Sequence, residues 1–188
     1  MGFIPHYDDL PMDWVGDWAG RRAALTPRRT ALYDSSTQKS YSFEDMNDRA
    51  CRVATYLADT LALKKGDIVT LICRNRIEAI DLYLACGKLG LILAPLSQRL
   101  KKPELDDLLG RLKPRVLVHE NAFAELVSTL AVPASVQTVI TIDDGPNQFE
   151  NVILKTEPRA VNVPLALNDI CLYVHTGGTT AVERHMTY

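Results

Sequence analysis

The residues with the clearest chemical potential in this 188-residue chain follow a β-type apolar run from Ile170 to Val174. Glycine lets the backbone turn its N–H groups toward one point, and successive N–H groups aimed in this way form an anion-binding concavity. Threonine hydroxyls add donors for phosphate oxygens and ligands for Mg²⁺. The pattern therefore predicts a phosphate site, with a simple β-turn as the structural alternative. The residues of this loop, called here the Gly/Thr loop, are Thr176, Gly177, Gly178, Thr179 and Thr180.

Two residues beside the Gly/Thr loop are further candidates for a phosphate contact. His175 directly precedes the loop, although a strand-end histidine bonded to backbone is an equal alternative. Arg184 offers a positive charge just after it. The loop lacks the Gly-Lys-Ser/Thr ending of the P-loop, so we exclude that mechanism.

Composition and charge limit the function classes. The chain has 21 basic and 23 acidic residues and a net charge of −2, which provides no electrostatic footprint for nucleic acid. Its length and 47% hydrophobic content predict one globular domain. The four cysteines are widely spaced, which favours buried thiols in a reducing cytoplasm over disulfides or a zinc site. They are Cys51, Cys73, Cys86 and Cys171.

Neither targeting nor membrane insertion is indicated. The N-terminus carries several aspartates and no apolar core segment, unlike a signal peptide. The apolar stretch 79–96 is interrupted by Asp81, Lys88 and Pro95, whereas a membrane span needs about 20 largely apolar residues. We therefore expect a cytoplasmic protein without a membrane span.

The elements that would position the loop alternate along the chain. Residues 30–33 and 39–43 flank a turn-forming segment and predict a β-hairpin, after a helical N-terminal segment 1–27. Ser42 with Asp45 three residues later resembles a capping box that opens a helix. Continuous apolar strands separated by helical segments predict a parallel βαβ sheet flanked by helices, an α/β fold. The strands are expected near 68–73, 91–96, 115–119 and 136–142, with helices at 77–89, 103–112 and 122–130.

Beyond this hairpin and βα region, 28–146, the remaining segments are short. Residues 147–168 are polar and punctuated by proline, and we expect a surface excursion without a regular element. The segment 169–181 holds the last strand and the Gly/Thr loop.

Other polar residues are weaker candidates. Arg74 and Arg76 follow a core strand, where α/β sheets bind ligands, but a solvated helix start is the favoured interpretation. His119 and His6 show no metal-ligand spacing, so structural or surface roles are expected. Asp143 and its neighbour Asp144 indicate a turn rather than a catalytic carboxylate pair.

The order of segments over about residues 18–180 resembles AMP-forming acyl-CoA synthetases. The part from Leu167 to Thr180 is similar to the phosphate-binding motif of that family and the strand before it. The other matching segments are Arg21 to Leu32, Tyr41 to Ala50, Lys64 to Leu71, Asn75 and Arg76, Lys88 to Gly90, and Pro95 to Leu100.

The resemblance implies an ATP-dependent ligase that activates a carboxylic acid, with a fatty acid favoured, as an acyl-adenylate and transfers it to coenzyme A. The Gly/Thr loop would hold the β- and γ-phosphates, with Mg²⁺ bound through ATP and Thr179 or Thr180 as candidate ligands. The family pattern continues Gly, any residue, Pro, Lys, Gly. This chain departs from it between Ala181 and His185, and Glu183 adds negative charge there.

The family's catalytic residues come later than Tyr188, so the resemblance implies the N-terminal portion of such an enzyme, inactive on its own. Part of its apolar surface would then be bare, and we expect self-association. Three alternatives stay open at this point. They are an adenylation domain for aryl or amino acids, a non-catalytic phosphate- or nucleotide-binding module, and a structural α/β domain.

Overall fold

The computed structural model describes residues 16–143 and 148–175 and the backbone of residues 183–187. The helices are α1 Trp18–Leu25, α2 Phe43–Thr55 with a π-helical extension Tyr56–Thr60, α3 Ile77–Leu89, α4 Lys102–Leu112, α5 Ala124–Ser128 after a 3₁₀ turn Asn121–Phe123, and α6 Phe149–Lys155. The strands are β1 Thr30–Asp34, β2 Lys39–Ser42, β3 Ile68–Ile72, β4 Ile92–Pro95, β5 Val116–Glu120, β6 Thr138–Ile142, β7 Ile170–His175 and β8 Glu183–Thr187.

The central feature is a six-stranded sheet with the order β6-β5-β3-β4-β7-β8. The first five of these strands run parallel, and β8 pairs antiparallel with β7. The continuous apolar character of β3, β4 and β5 follows from their position, because strands covered on both faces expose neither side to water. The parallel sheet predicted from the sequence is confirmed.

Helices cover both faces of the sheet, as expected. Leu71 of β3 belongs to a buried cluster with residues of α2, α3 and α6, among them Leu82 and Phe149. The next residue, Ile72, points to the other face and joins a cluster with α4 and α5, including Leu109. The alternation of neighbouring side chains between two covered faces separates the core into these two layers.

The predicted hairpin and capping box are both present. Strands β1 and β2 pair antiparallel as a separate two-stranded sheet. The Ser42 hydroxyl accepts a hydrogen bond from the Asp45 N–H at 3.1 Å, and the Asp45 carboxylate accepts one from the Ser42 N–H at 2.8 Å. This reciprocal pair satisfies two backbone donors at the start of α2.

The N-terminal helix α1 is attached to the body of the domain by a buried ion pair. Asp17 accepts a hydrogen bond from the Gly20 N–H at 2.8 Å and thereby caps α1. The same carboxylate lies 2.7 Å from Lys88 Nζ of α3, and both side chains are about 1% exposed. Lys88 also donates to Asn47 Oδ1 of α2 at 2.8 Å, so one buried ammonium group holds three helices together.

The structure corrects three details of the sequence prediction. Residues 147–168 contain the helix α6, and its Phe149 and Ile153 are buried in the core. The local sequence pattern did not predict this helix because its burial depends on contact with the distant helix α2. The helix expected at 122–130 is a 3₁₀ turn followed by the shorter α5. Cys73 is only partly buried, whereas Cys51, Cys86 and Cys171 are buried as predicted.

Within the described ranges, none of the helices is long and apolar enough to span a membrane. His6 lies outside the described residues, so its expected structural or surface role stays a prediction.

Candidate functional site

The candidate site lies at the edge of the sheet where the five parallel strands have their carboxyl ends. The connection after β3 leads to α3 on one face, and the connection after β4 leads to α4 on the other face. Adjacent strands whose connections leave toward opposite faces create a crevice at their carboxyl ends, and α/β proteins commonly bind ligands there. The site divides into a β4–β7 half and a β3–β5–β6 half.

The β4–β7 half is organised by a contact between His175 and Ser97. His175 is the last residue of β7, and its Nε2 lies 3.1 Å from the backbone nitrogen of Ser97, two residues after β4. Because the Ser97 N–H is the donor, Nε2 must be the unprotonated acceptor, and a neutral ring carries its proton on Nδ1. The structure therefore supports the backbone-bonded alternative for Nε2 and leaves the Nδ1 side as a further donor.

Ser97 also holds the connection that follows it. Its Oγ accepts a hydrogen bond from the Arg99 N–H at 3.2 Å, and its carbonyl accepts one from the Leu100 N–H at 3.1 Å. These bonds are the local turn pattern that serine favours. The segment Ser97–Leu100 is thus a closed turn whose first N–H is directed at β7.

The strand β8 was not predicted from the sequence. It pairs antiparallel with β7, so that His175 is opposite Glu183 and Val174 is opposite Arg184. The candidate residues Thr176, Gly177, Gly178, Thr179 and Thr180 lie outside the described residues, as does the side chain of Arg184. Their proposed phosphate contacts stay predictions.

The β3–β5–β6 half contains the two arginines that follow β3. Arg74 Nε donates to Glu120 Oε1 at 2.9 Å, and the Arg74 N–H donates to the second carboxylate oxygen of Glu120 at 3.0 Å. Glu120 ends β5, and its side chain is about 1% exposed. Hydrogen bonds from Arg74 hold the pKa of the Glu120 carboxyl below its usual range.

Arg76 is ion-paired with two further carboxylates. Its Nη1 and Nη2 donate to Asp143 at 2.8 and 2.6 Å, and its Nε donates to Glu78 at 3.1 Å. The Glu78 side chain is buried with 5% exposure, and Arg76 is 27% exposed. As the interpretation of a solvated helix start expects, Arg76 is the N-cap residue of α3 and the Arg74 side chain is 60% exposed. Each guanidinium group is in addition ion-paired with carboxylates at this edge of the sheet, which the sequence did not predict.

The two other polar predictions near this half have different outcomes. His119 is buried, with Nδ1 3.0 Å from the Glu120 carbonyl oxygen, which is a structural role as expected. Asp143 has the left-handed φ of 77° that fits the predicted turn, and its carboxylate is used by Arg76. Asp144 lies outside the described residues. Among the residues that the structure describes, no group of three or more His, Cys, Asp or Glu side chains could hold a metal ion.

An open cleft of about 450 Å³ lies at the carboxyl ends of β3 and β4, beside the hairpin. Its lining includes Tyr33 of the hairpin, Cys73 and Arg74 after β3, and Leu96 after β4. Burial raises the pKa of the Cys73 thiol to about 11, so this cysteine is a thiol and not a nucleophilic thiolate at neutral pH. The cleft offers space and apolar surface but no activated nucleophile from this cysteine.

Comparison with known proteins gives the family. The sequence model described as "AMP-binding enzyme" matches residues 20–183, which includes the Gly/Thr loop. This chain belongs to the AMP-binding enzyme family. The resemblance to acyl-CoA synthetases stated from the sequence is confirmed.

Two relatives are named as a CoA synthase and a CoA ligase. A feruloyl-CoA synthase of Amycolatopsis sp is 31% identical over 172 residues, which cover 88% of this chain and 31% of that protein. A medium/long-chain-fatty-acid–CoA/3-oxocholest-4-en-26-oate–CoA ligase of Mycolicibacterium smegmatis is 31% identical over 180 residues, or 90% of this chain and 32% of that protein. The chain thus spans about a third of the length of these curated relatives.

Solved structures agree in fold. The inhibitor-bound N-terminal domain of FACL13 from Mycobacterium tuberculosis matches with a TM-score of 0.83 and 25% identity, covering 94% of this chain and 44% of that chain. A long-chain-fatty-acid CoA ligase, described as putative, from Rhodopseudomonas palustris matches with a TM-score of 0.81 and 26% identity, covering 92% and 44%. The α/β fold class is confirmed by these neighbours.

Sequence reasoning missed the partners on both halves of the site. Glu120 was not singled out, although its position at the carboxyl end of a predicted strand is a usable signal. Glu78 in the first turn of α3 and Ser97 after β4 were also missed. Their roles depend on which strands are neighbours, and the local sequence pattern does not predict the order of strands in a sheet.

Proposed function

We propose that this chain is part of an AMP-forming acyl-CoA ligase that activates a carboxylic acid with ATP through an acyl-adenylate, and that the Gly/Thr loop binds the nucleotide phosphates. The observation that carries the proposal is that β7 runs parallel beside β4 and ends at the carboxyl edge of the sheet, one residue before this loop. The family match over residues 20–183 supports it as well.

The chemistry of adenylation fits such a position. The substrate carboxylate attacks the α-phosphorus of ATP and pyrophosphate leaves, so negative charge builds up on the leaving β- and γ-phosphates. Backbone N–H groups and hydroxyls that are already oriented stabilise such charge without reorganising. We assign this role to the loop donors. The hydroxyl of Thr179 or Thr180 would help to hold an Mg²⁺ ion that arrives with ATP, and the ion would neutralise part of the phosphate charge. Coenzyme A is the proposed acceptor of the acyl group.

The names of the relatives support two candidate substrate classes. The Mycolicibacterium smegmatis relative is named for fatty acids, which supports a fatty acid as the carboxylic substrate. The feruloyl-CoA synthase has the same 31% identity, so an aryl acid is the second candidate. To discriminate between the two acids, saturation curves are measured with palmitate and with ferulate on a full-length enzyme that contains this region.

The test of phosphate binding uses the 188-residue chain itself. Isothermal titration with MgATP is expected to give a dissociation constant of about 1 mM, because a phosphate loop without a closed apolar pocket supplies little binding energy. Thr179→Ala combined with Thr180→Ala is expected to weaken binding about tenfold, with an unchanged melting temperature. Ser128→Ala, an exposed hydroxyl on α5, is the matched control and is expected to bind like wild type.

Two results would oppose the proposal as stated. Equal MgATP affinity of the wild type and the double threonine variant would show that the loop is not part of the binding site. Carboxylate-dependent exchange of pyrophosphate into ATP by these 188 residues alone is not expected, since carboxylate and α-phosphate must be held in line by parts that the relatives carry in their remaining two thirds. Such exchange would show instead that the chain is catalytically competent.

We also propose that the isolated chain self-associates. Large apolar side chains are exposed on its surface, including Trp18 at 60% and Leu25 at 72%. Exposed apolar side chains of this size drive association when they lie in one patch. Light scattering is expected to give dimers or larger species, and a monodisperse monomer at high concentration would contradict the proposal.

A further inference from the structure

We infer that His175 is a positioning residue: through its bond to the Ser97 N–H it sets the distance between the carboxyl ends of β4 and β7 and thereby the nucleotide affinity of the site. This inference rests on the proposed function. It assigns to Nε2 of His175 a role distinct from a phosphate contact, since this nitrogen accepts from a backbone donor 78 residues earlier in the chain.

The ladder between β4 and β7 explains why a side chain is needed there. The pairing of these strands joins Leu93 with Leu172, which precede the last residues of the strands, Pro95 and His175. On the opposite side, His175 is paired with Glu183 of β8. The imidazole of His175 therefore joins the segment after β4 to the end of β7, beyond the Leu93–Leu172 pair.

The contact reaches a turn that is itself ordered. Ser97 accepts hydrogen bonds from the N–H groups of Arg99 and Leu100 through Oγ and its carbonyl oxygen, so its own N–H direction is set by that turn. The hydrogen bond therefore fixes the position of His175 relative to an ordered turn. Sites on such supported elements keep their geometry better than sites on unsupported loops.

The ring must be in one tautomer for this role. The N–H of Ser97 can donate only to an unprotonated Nε2, so the neutral His175 ring carries its proton on Nδ1. The ¹⁵N spectrum of histidine-labelled protein distinguishes the two ring nitrogens. We expect an acceptor-type Nε2 signal for His175 in the 188-residue chain at neutral pH, and a protonated Nε2 would overturn the inference whether or not nucleotide binds.

Two variants separate positioning from bulk. His175→Phe keeps an aromatic ring of similar size without an acceptor, and His175→Gln places an amide oxygen near the position of Nε2. We expect MgATP affinity to fall three- to tenfold in His175→Phe, about the effect of one hydrogen bond, and to return within about twofold of wild type in His175→Gln. The Ser97 amide proton is expected to exchange faster in His175→Phe only.

The outcomes distinguish this inference from the proposed function. If the wild type binds MgATP and the double threonine variant does not, but His175→Phe binds like wild type, the positioning role is wrong and the phosphate loop stands. Equal losses in the Phe and Gln variants would also overturn the positioning role, because the acceptor would not be what matters. If the wild type shows no threonine-dependent binding of MgATP, the proposed function fails and the inference fails with it.

Discussion

The two halves of the carboxyl edge differ in the charge of the groups that hold them together. In the β3–β5–β6 half, Arg74 and Arg76 face carboxylates from three different elements, and their charges are neutralised within the domain. In the β4–β7 half, the described contact between Ser97 and His175 joins a backbone donor to a neutral ring, without a charged partner. Charged side chains of the β3–β5–β6 half thus hold the edge together, whereas the proposed phosphate site relies on uncharged donors. A positive residue at a strand end is by itself poor evidence for anion binding.

The largest effect at this edge is expected from the removal of Arg76. Arg76→Met leaves the buried Glu78 without this ion-pair partner, and we expect the free energy of unfolding to fall by about 3 kcal/mol, as for other broken buried pairs. Urea denaturation measures the change. The MgATP affinity of the folded protein is expected to stay within about twofold of wild type.

The control for this change removes both charges. Arg76→Met combined with Glu78→Gln is expected to recover much of the lost stability, because no uncompensated carboxylate is left buried. A double variant that is as unstable as the single one would show that the arginine acts through packing. A large loss of MgATP affinity in either folded variant would show that the two halves are not separate.

A smaller effect is expected from the pH dependence of the Glu120 pair. The pKa of this carboxyl is lowered in the folded protein, mainly by Arg74, so its stabilising contribution is present above the unfolded-state pKa of about 4.3 and is lost as the pH falls below it. Wild type is therefore expected to exceed Glu120→Gln in unfolding free energy above about pH 5, with the difference shrinking toward pH 3. Urea midpoints measured between pH 3 and 7 test this.

Arg74→Ala sharpens the same measurement. The Arg74 side chain is 60% exposed, so water screens its ion pair, and the backbone N–H of residue 74 still donates to Glu120 after the substitution. We expect a change in the same direction as for Glu120→Gln but smaller. A pH profile of Glu120→Gln parallel to that of wild type would contradict the assigned role of this carboxylate.

The sequence was sufficient for those parts of the fold that are encoded locally. The predicted strands at 68–73, 91–96, 115–119 and 136–142 coincide with β3 to β6 within one or two residues, and the parallel arrangement follows from their continuous apolar character. The hairpin and the capping box of Ser42 and Asp45 are equally local, since the interacting groups are close in the chain. The family is likewise identified by the order of its characteristic segments along the chain, which is a property of the sequence alone.

Only the tertiary structure decided what the polar residues do. Arg76 is hydrogen-bonded to Asp143, which is 67 residues away in the chain. The bond between Arg74 and Glu120 spans 46 residues, and the bond between Ser97 and His175 spans 78. Each of these pairs exists because the strand order brings the ends of particular strands side by side, and strand order is a property of the whole sheet. Hydrophobic periodicity along the chain indicates which side of an element is buried, but it does not identify the element that covers that side.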